Sequence, residues 1–503
     1  MSSTNASSSE SGSVQPVEVA ALPANPSLEN LRNQAKTLLK RFAAGDPTSA
    51  VRFKQHPEQA SAGPRPATAR LADAQLVLAR ELGFPSWPKL KSYVESIQGH
   101  SSGRMRPFQA DIRYFDGRAG GLLSQHASRL GLAAGQIRDQ TPELSELSDE
   151  AILALPFTLD DARTVTAREH GFTSWARFKR HLSALEQGQT IEPFMLAFKA
   201  IEARDLEVLR RVLLADGTLV RARGTNGNSL LNLAAGCKFT PGAQLLLASG
   251  ADPNVPNVRG ATPLHQAAYA NLPELVEILL DAGANPEISA HGDGGTPLVM
   301  ALFWGHREAA DLLAARSLAP NNLRAAAGTG DRELLKSLFN VQGEPTTEAG
   351  AHRDFYRPHS GFPVWQPTDS RQEIMDEALT YAARNRRIEA MAFLVERGAN
   401  VNADPYRGTP LIWAVFSSGD IETMQWLLDH GAEVNLKATF GGPGHGQGIA
   451  AIHVAAQSGR LETVKFLLAH GADRNLTDDL YGGNAAGHAN HWGHTELVEY
   501  LRA

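Results

Sequence analysis

From Phe194 onward the chain repeats itself about every 33 residues, and a period of that length leaves few architectures open. GATPLHQAAYANLPELVEILLDAGANP begins at Gly260, GGTPLVMALFWGHREAADLLAA at Gly294, RGTPLIWAVFSSGDIETMQWLLDHGAEVN at Arg407 and GIAAIHVAAQSGRLETVKFLLAHGADRN at Gly448. A unit this short cannot bury an apolar face by itself. Stacked neighbours must do it, so the array is the folding unit and each unit touches chiefly the next.

Each part of the period has a physical reason. Thr262, Thr296 and Thr409 suit the amino-terminus of a first helix, and the proline after each occupies the first helical position, where a missing N–H costs nothing. Paired alanines, Ala267-Ala268 and Ala455-Ala456, let neighbouring first helices approach closely. The second helix ends in Leu279-Leu280 or Leu467-Leu468, and Gly250, Gly283, Gly398, Gly431 and Gly471 are placed to close it in the left-handed conformation.

These coupled features resemble the ankyrin repeat. Taking the leucine of Thr-Pro-Leu as anchor, nine helical pairs can be followed, at Ala197, Leu231, Leu264, Leu298, Leu323, Leu379, Leu411, Ile452 and Ala486. The resemblance implies an all-α solenoid of about nine pairs with short β-hairpin fingers, over residues 194–503. Anchor spacings of 34, 33, 34, 25, 56, 32, 41 and 34 residues depart from the period in mid-array. The short step leaves no room for a normal finger near Ser317 to Asn322. The long one inserts residues at about 341–373, and the 41-residue step adds a glycine-rich insertion at 439–448. The groove's regular curvature should break there.

Ahead of the array, Leu71 to Val94 and Leu159 to Leu182 align without a gap at an offset of 88, with 12 of 24 positions identical. In each copy a helix should end at Gly83 or Gly171 and a second begin after Ser86 or Ser174, followed by Trp87 or Trp175. Leu28, Leu31, Ala35, Leu38, Leu39 and Phe42 recur at helical spacing until Gly45-Asp46-Pro47. Residues 27–100 and 101–190 therefore read as two related small helical modules, after a tail, 1–26, too poor in large apolar residues to order itself. As a whole the chain resembles a group of bacterial cytoplasmic ankyrin-repeat proteins, a resemblance that supplies no catalytic residue.

Composition narrows the function. One cysteine, Cys237, excludes an internal disulfide and a thiolate zinc cluster. A net charge near -6 speaks against a chain built to neutralise phosphates, and the hairpin stretch Leu159 to Leu185 carries five basic and three acidic side chains without a basic stripe. Nucleic acid is a poor default partner, although Arg163, Arg168, Arg177, Lys179 and Arg180 keep a nucleic-acid-associated regulator as an alternative. No apolar run is long enough to span a membrane, and the opening lacks a basic start followed by an apolar stretch. A cytoplasmic protein is expected.

The repeat's variable positions show where a protein partner would touch. Aromatic and arginine anchors contribute most to interfaces. The strip expected to face a partner comprises Arg259, Tyr269, Phe303, Trp304, Tyr406, Phe416, Tyr481 and Trp492. The competing expectation is that the long insertion, with Phe355, Tyr356, Phe362 and Trp365, folds back over these side chains.

Reactive constellations are weak. His488, His491 and His494 are spaced as metal ligands could be, but they fall on the last repeat's first helix and its Gly-His turn, and no metal is assigned. His265 and His453 occupy a position where, by the resemblance, imidazole supports hydrogen bonding between repeats. His352, Arg353, Asp354, Tyr356, Arg357 and His359 could supply an acid, a base and an anion clamp, which keeps a small-molecule or enzymatic site under the 341–373 insertion as a second alternative. GGPGHGQG lacks the strand and the Gly-Lys-Ser/Thr ending of a phosphate loop. Cys237 reads as a packed thiol. No catalytic residue and no cofactor is assigned, and a non-catalytic adaptor or scaffold is the expected function.

Overall fold

A computed structural model of the chain describes residues 28–55, 69–82, 86–88, 90, 104–290, 294–317, 320–353, 367–405, 408–439 and 448–503. The tail 1–26, the glycine-rich insertion from 440 to 447, and Phe355, Tyr356, Phe362 and Trp365 lie outside these residues. The chain divides into two compact units, Met1–Arg104 and Met105–Ala503.

The first unit contains α1 (Leu28–Ala43), α2 (Pro47–Gln55) and α3 (Leu71–Glu81). Leu31, Ala35, Leu38 and Phe42 of α1 pack on Val77 and Leu78 of α3 and on Leu90, and Phe42 stacks on Phe53 at 4.0 Å. Asp46 starts α2 by accepting the Ser49 N–H at 2.9 Å and the Thr48 hydroxyl at 2.6 Å, satisfying groups a helix start leaves open.

The second unit opens with α4 (Ile112–Ala127), α5 (Gly131–Gln140), α6 (Asp149–Ala154), α7 (Leu159–Glu169) and α8 (Trp175–Glu186). Gly171 takes a φ of +84°, and Ser174 caps α8 by accepting the Arg177 N–H at 3.4 Å. At this corner Phe115, His170 and Phe178 stack within 5.2 Å of one another, so the aromatic residues pack the module.

The array follows as helical pairs: α9 (Pro193–Glu202) with α10 (Leu206–Ala215), α11 (Leu230–Gly236) with α12 (Thr240–Ala248), α13 (Pro263–Tyr269) with α14 (Pro273–Asp281), and α15 (Pro297–Trp304) with α16 (Arg307–Arg316). Next come α17 (Leu323–Thr329) with α18 (Arg332–Ser337), α19 (Arg371–Arg384) with α20 (Ile388–Val395), α21 (Pro410–Ser417) with α22 (Ile421–Asp429), α23 (Ala451–Gln457) with α24 (Leu461–Ala469), and α25 (Ala485–His491) with α26 (Thr495–Arg502). Every anchor named from the sequence lies buried in the first helix of its pair. Thr296 and Thr409 cap their helices through the Val299 and Ile412 N–H groups, ahead of prolines at the first helical position. Gly250, Gly283, Gly398, Gly431 and Gly471 close the second helices with φ between +86° and +93°. An added Cβ would meet nothing there, so the conformation alone calls for glycine.

The fingers differ from the expected hairpins. Among the described residues they close through single antiparallel bridges, Arg223 with Ser229, Phe339 with Pro345 and Ala438 with Ile449, and no strand forms. The turns are too short to continue pairing into a ladder.

Inter-repeat ties follow from the residues. His265 Nδ1 accepts the Thr262 N–H at 3.2 Å, which leaves Nε2 to donate to the Gly295 carbonyl at 3.0 Å. His453 repeats the arrangement, accepting from Ala450 and donating to Leu476 at 2.7 Å. In mid-array, α15 reaches beyond α17. Asn385 of the turn after α19 donates to Leu302 at 2.9 Å, Arg384 donates to Phe303 at 3.0 Å, and Phe303 lies 5.6 Å from Trp413 of α21. The repeat anchored at Leu298 thus meets the one anchored at Leu411.

The base of the long insertion is fixed by buried charge. Glu377 of α19 accepts from Arg324 of α17 at 3.2 Å and from Arg353 of the insertion at 2.6 Å, and Arg353 also reaches Glu373 at 2.5 Å. Arg324 caps the His352 carbonyl and Arg353 the Thr368 carbonyl, so both described ends of the insertion are tied to α19.

Candidate partner-binding groove

The first helices of successive repeats pack side by side along the array, and the two ends and the centre of that face differ in chemistry. At the centre, burial sorts the expected aromatic strip. Tyr269 is 50% exposed at the end of α13, with its ring 5.5 Å from Trp304. Trp304 is half-buried and lies 6.2 Å from Phe416, which is also half-buried. Phe303 corrects the sequence expectation: it is only 2% exposed. Its ring points inward because α15 is covered by α19 and α21, between Trp413 at 5.6 Å and Tyr381 at 6.3 Å. The Arg384 guanidinium sits over Trp413 at 3.5 Å, Phe303 at 4.7 Å and Tyr381 at 4.8 Å. Neighbouring repeats therefore cover much of the strip. Sequence reasoning missed Trp413, Tyr381 and Arg384, whose role depends on contacts between non-adjacent repeats.

Two further strip residues stand near the carboxy-terminal end, and Tyr406 lies outside the described residues. Tyr481 is 75% exposed on the finger held by Asp478, and Trp492 is 59% exposed after α25, edge-on to His491 at 5.7 Å. Burial works against the Asp478 charge. The N–H groups of Tyr481, Gly483 and Leu480, with the His488 ring at 3.0 Å, nevertheless hold its carboxyl below the usual range. Gln457 donates to the other His488 ring nitrogen at 3.0 Å, and His494 donates to the Gln457 carbonyl at 2.9 Å. Two of the three spaced histidines thus hold repeats together, and no metal-ligating group of three occurs among the described residues.

At the amino-terminal end lies an open cleft of about 340 Å³, lined by Asn226, Asn228, Asn232, Asn257, Gln266 and Arg259, with Phe198, Leu233, Val258 and Cys237 as its less polar wall. Arg223 joins the two fingers beside it, donating to the Gly227 carbonyl at 3.1 Å and to the Pro256 carbonyl at 2.6 Å. Asn257 donates to Asn228 across them at 3.1 Å. Asn232 is 2% exposed, and its side-chain oxygen finds no partner while its nitrogen faces the Val255 and Ala261 carbonyls. Cys237 is half-buried at this cleft, and burial pushes its thiol above the ordinary value. It packs against the core of the array, where the sequence reading placed it, and also lines the cleft. The asparagine-rich run from Asn226 to Asn232 was the available signal for this cleft. Arg259 is the one strip residue that belongs to it.

The second helical module fixes one wall of the cleft. Arg106 pairs with the 224–228 finger in parallel: its N–H donates to Arg223 at 2.8 Å and its carbonyl accepts from Thr225 at 3.0 Å. The Phe108 ring lies 4.9 Å from Phe198, and His170 Nε2 meets the Thr225 hydroxyl at 2.9 Å. His170 Nδ1 faces the Thr166 carbonyl at 2.8 Å. Burial depresses the His170 pKa to about 3, so the ring is neutral at ordinary pH. In the same module Arg163 is taken up by Asp116 at 2.7 Å and Asp160 at 3.0 Å, which weakens any basic face on that hairpin.

Comparison with known proteins agrees with this architecture. Sequence models of ankyrin repeats match residues 231–325, 323–438 and 452–502. The chain belongs to the ankyrin-repeat family, whose repeats generally mediate protein–protein interaction and are typically non-catalytic. It is similar to the transient receptor potential cation channel subfamily A member 1 of Homo sapiens, 27% identical over 48% of this chain and 21% of the relative. It is also similar to Rabankyrin-5 of Homo sapiens, 31% identical over 41% and 18%, and to the B-cell lymphoma 3 protein homolog of Mus musculus, 30% identical over 35% and 37%. The matched stretch spans only about a fifth of the first two relatives. Among the described residues no helix is long and apolar enough to cross a membrane.

Proposed function

We propose that this chain is a non-catalytic adaptor or scaffold of the cytoplasm that binds partner proteins through the ankyrin groove. The stretches 27–100 and 101–190 are assigned as related helical modules that add a second docking surface. The observation that carries this reading is the exposure of Tyr269, half its surface free, at the edge of an aromatic cluster otherwise covered by neighbouring repeats. A large amphipathic ring on a rigid platform is the kind of anchor that dominates protein interfaces. Tyr481 and Trp492 extend the surface toward the last repeat.

The test uses the exposed anchors, because serine at Trp304 or Phe416 would also disturb the fold. Proteins captured by the full chain are compared with those captured by a Tyr269→Ser, Tyr481→Ser, Trp492→Ser variant of unchanged circular dichroism. Loss of bound proteins supports the groove. An unchanged set removes it.

A further inference from the structure

We propose that the asparagine-lined cleft at the amino-terminal end of the groove receives an extended, acidic segment of the partner's chain. The inference rests on the groove-binding reading and names the chemistry that one part of the groove would select.

The lining itself defines that chemistry. Of the five carboxamides on the lining, those of Asn228, Asn232 and Asn257 are tied into the two fingers, and those of Asn226 and Gln266 each bring a donor and an acceptor, the same pair a peptide bond presents. An extended main chain has its N–H and C=O groups unpaired and can exchange them with such side chains. Asn232 is 2% exposed and braces the wall from within, its nitrogen facing the Val255 and Ala261 carbonyls. Charge gives the second part. Among the described residues the lining contains no carboxylate, and the charged side chain on it is Arg259. A guanidinium has five donors and can serve a ligand carboxylate beside its other contacts. Phe198, Leu233 and Val258 supply apolar seats for the flanking side chains.

Shape and continuity favour a chain over a small molecule. Small-molecule sites enclose most of their ligand, whereas this cleft is open to solvent. Gln266 lies three residues before Tyr269 on α13, so the two share a helix face. A segment leaving the cleft passes onto the exposed Tyr269 ring, which joins the cleft to the rest of the groove. The 224–228 finger, held by Arg106 and by His170 through Thr225, gives the cleft a fixed wall.

Cys237, the only thiol in the chain, lines the cleft and provides the readout. The full chain is labelled with a fluorescent maleimide at pH 8.5 in the presence of capped pentapeptide pools. Each pool has valine on both sides of a central glutamate, glutamine or lysine, with randomised outer positions. The glutamate pool should slow labelling at least threefold at millimolar concentration, and the lysine pool should not. Arg259→Gln, on a half-exposed finger position, should raise the concentration of the glutamate pool needed for that protection about tenfold, toward that of the glutamine pool, without altering the thermal melt.

Equal protection by the lysine and glutamate pools overturns the inference, as does no protection by any pool. If the serine variant of the exposed aromatics loses its captured proteins while the cleft fails this test, the groove reading survives and the acidic-segment inference alone falls.

Discussion

Replacing Glu377 with methionine keeps roughly the side-chain volume and removes one buried carboxylate from between two guanidiniums. The Arg324 and Arg353 side chains are no more than 5% exposed, so water cannot take over the lost interaction. Breaking one partner of a buried ion pair costs about 3–5 kcal/mol, because the remaining charge stays desolvated. Arg353 would keep Glu373 at 2.5 Å and the Thr368 carbonyl, and Arg324 would keep the His352 carbonyl, which places the expected loss near the lower end, about 3 kcal/mol. Glu377 links α17, the insertion and α19, so the damage should fall on one interface of a one-dimensional array. Urea unfolding followed by far-ultraviolet circular dichroism should therefore show either a lowered midpoint or a split into two transitions. Adding Arg324→Met should recover at least about 1 kcal/mol by removing one stranded charge. A loss below about 1 kcal/mol in the single variant, with one unchanged transition, would refute the reasoning.

Other expectations follow from the same structure. Trp413→Ala empties the space beneath Phe303 and removes the ring under Arg384, and should cost about 3–5 kcal/mol in a denaturant titration. Gly283→Ala meets no steric obstacle, so its expected cost of about 1–2 kcal/mol comes from the +87° φ alone and should appear as a lowered melting temperature. His170 has its pKa depressed from 6.5 to about 3, so the unfolded chain binds the extra proton between these values. Its contribution is complete above pH 6.5 and drains at about 1.4 kcal/mol per pH unit as pH falls toward 3. Neighbouring Glu169, whose pKa burial raises despite Arg118 and Gln136, acts in the opposite sense. The measurement is therefore the difference between the wild type and His170→Gln, whose acid slope should be shallower.

How far the residues alone could be read depends on which contacts each feature needs. Thr-Pro starts, left-handed glycines and the inter-repeat imidazoles depend on neighbours within one or two periods, and the sequence displays those periods directly. All nine anchors, from Ala197 to Ala486, accordingly fall in buried first-helix positions. Phe303 shows where that logic ends. Its position in the repeat is a surface position, but the short repeat at Leu323 lets α19 and α21 close over α15, and no local pattern announces a contact across three repeats. The cleft is similar in kind: Asn226, Asn257 and Gln266 converge only because consecutive fingers stack, and their neutral side chains leave no charge pattern to follow. The duplicated hairpin was plain as a duplication, whereas the pairing of Arg106 with the 224–228 finger joins segments more than a hundred residues apart.

The central claim, that the first-helix face of the array is the surface that meets a partner, is tested most directly by site-specific photocrosslinking. A benzophenone amino acid is placed at Tyr269, on the first-helix face, and separately at Leu214, an 81% exposed position on the second helix α10. The account predicts protein adducts from position 269 and none from position 214. Adducts from 214 with none from 269 would contradict it.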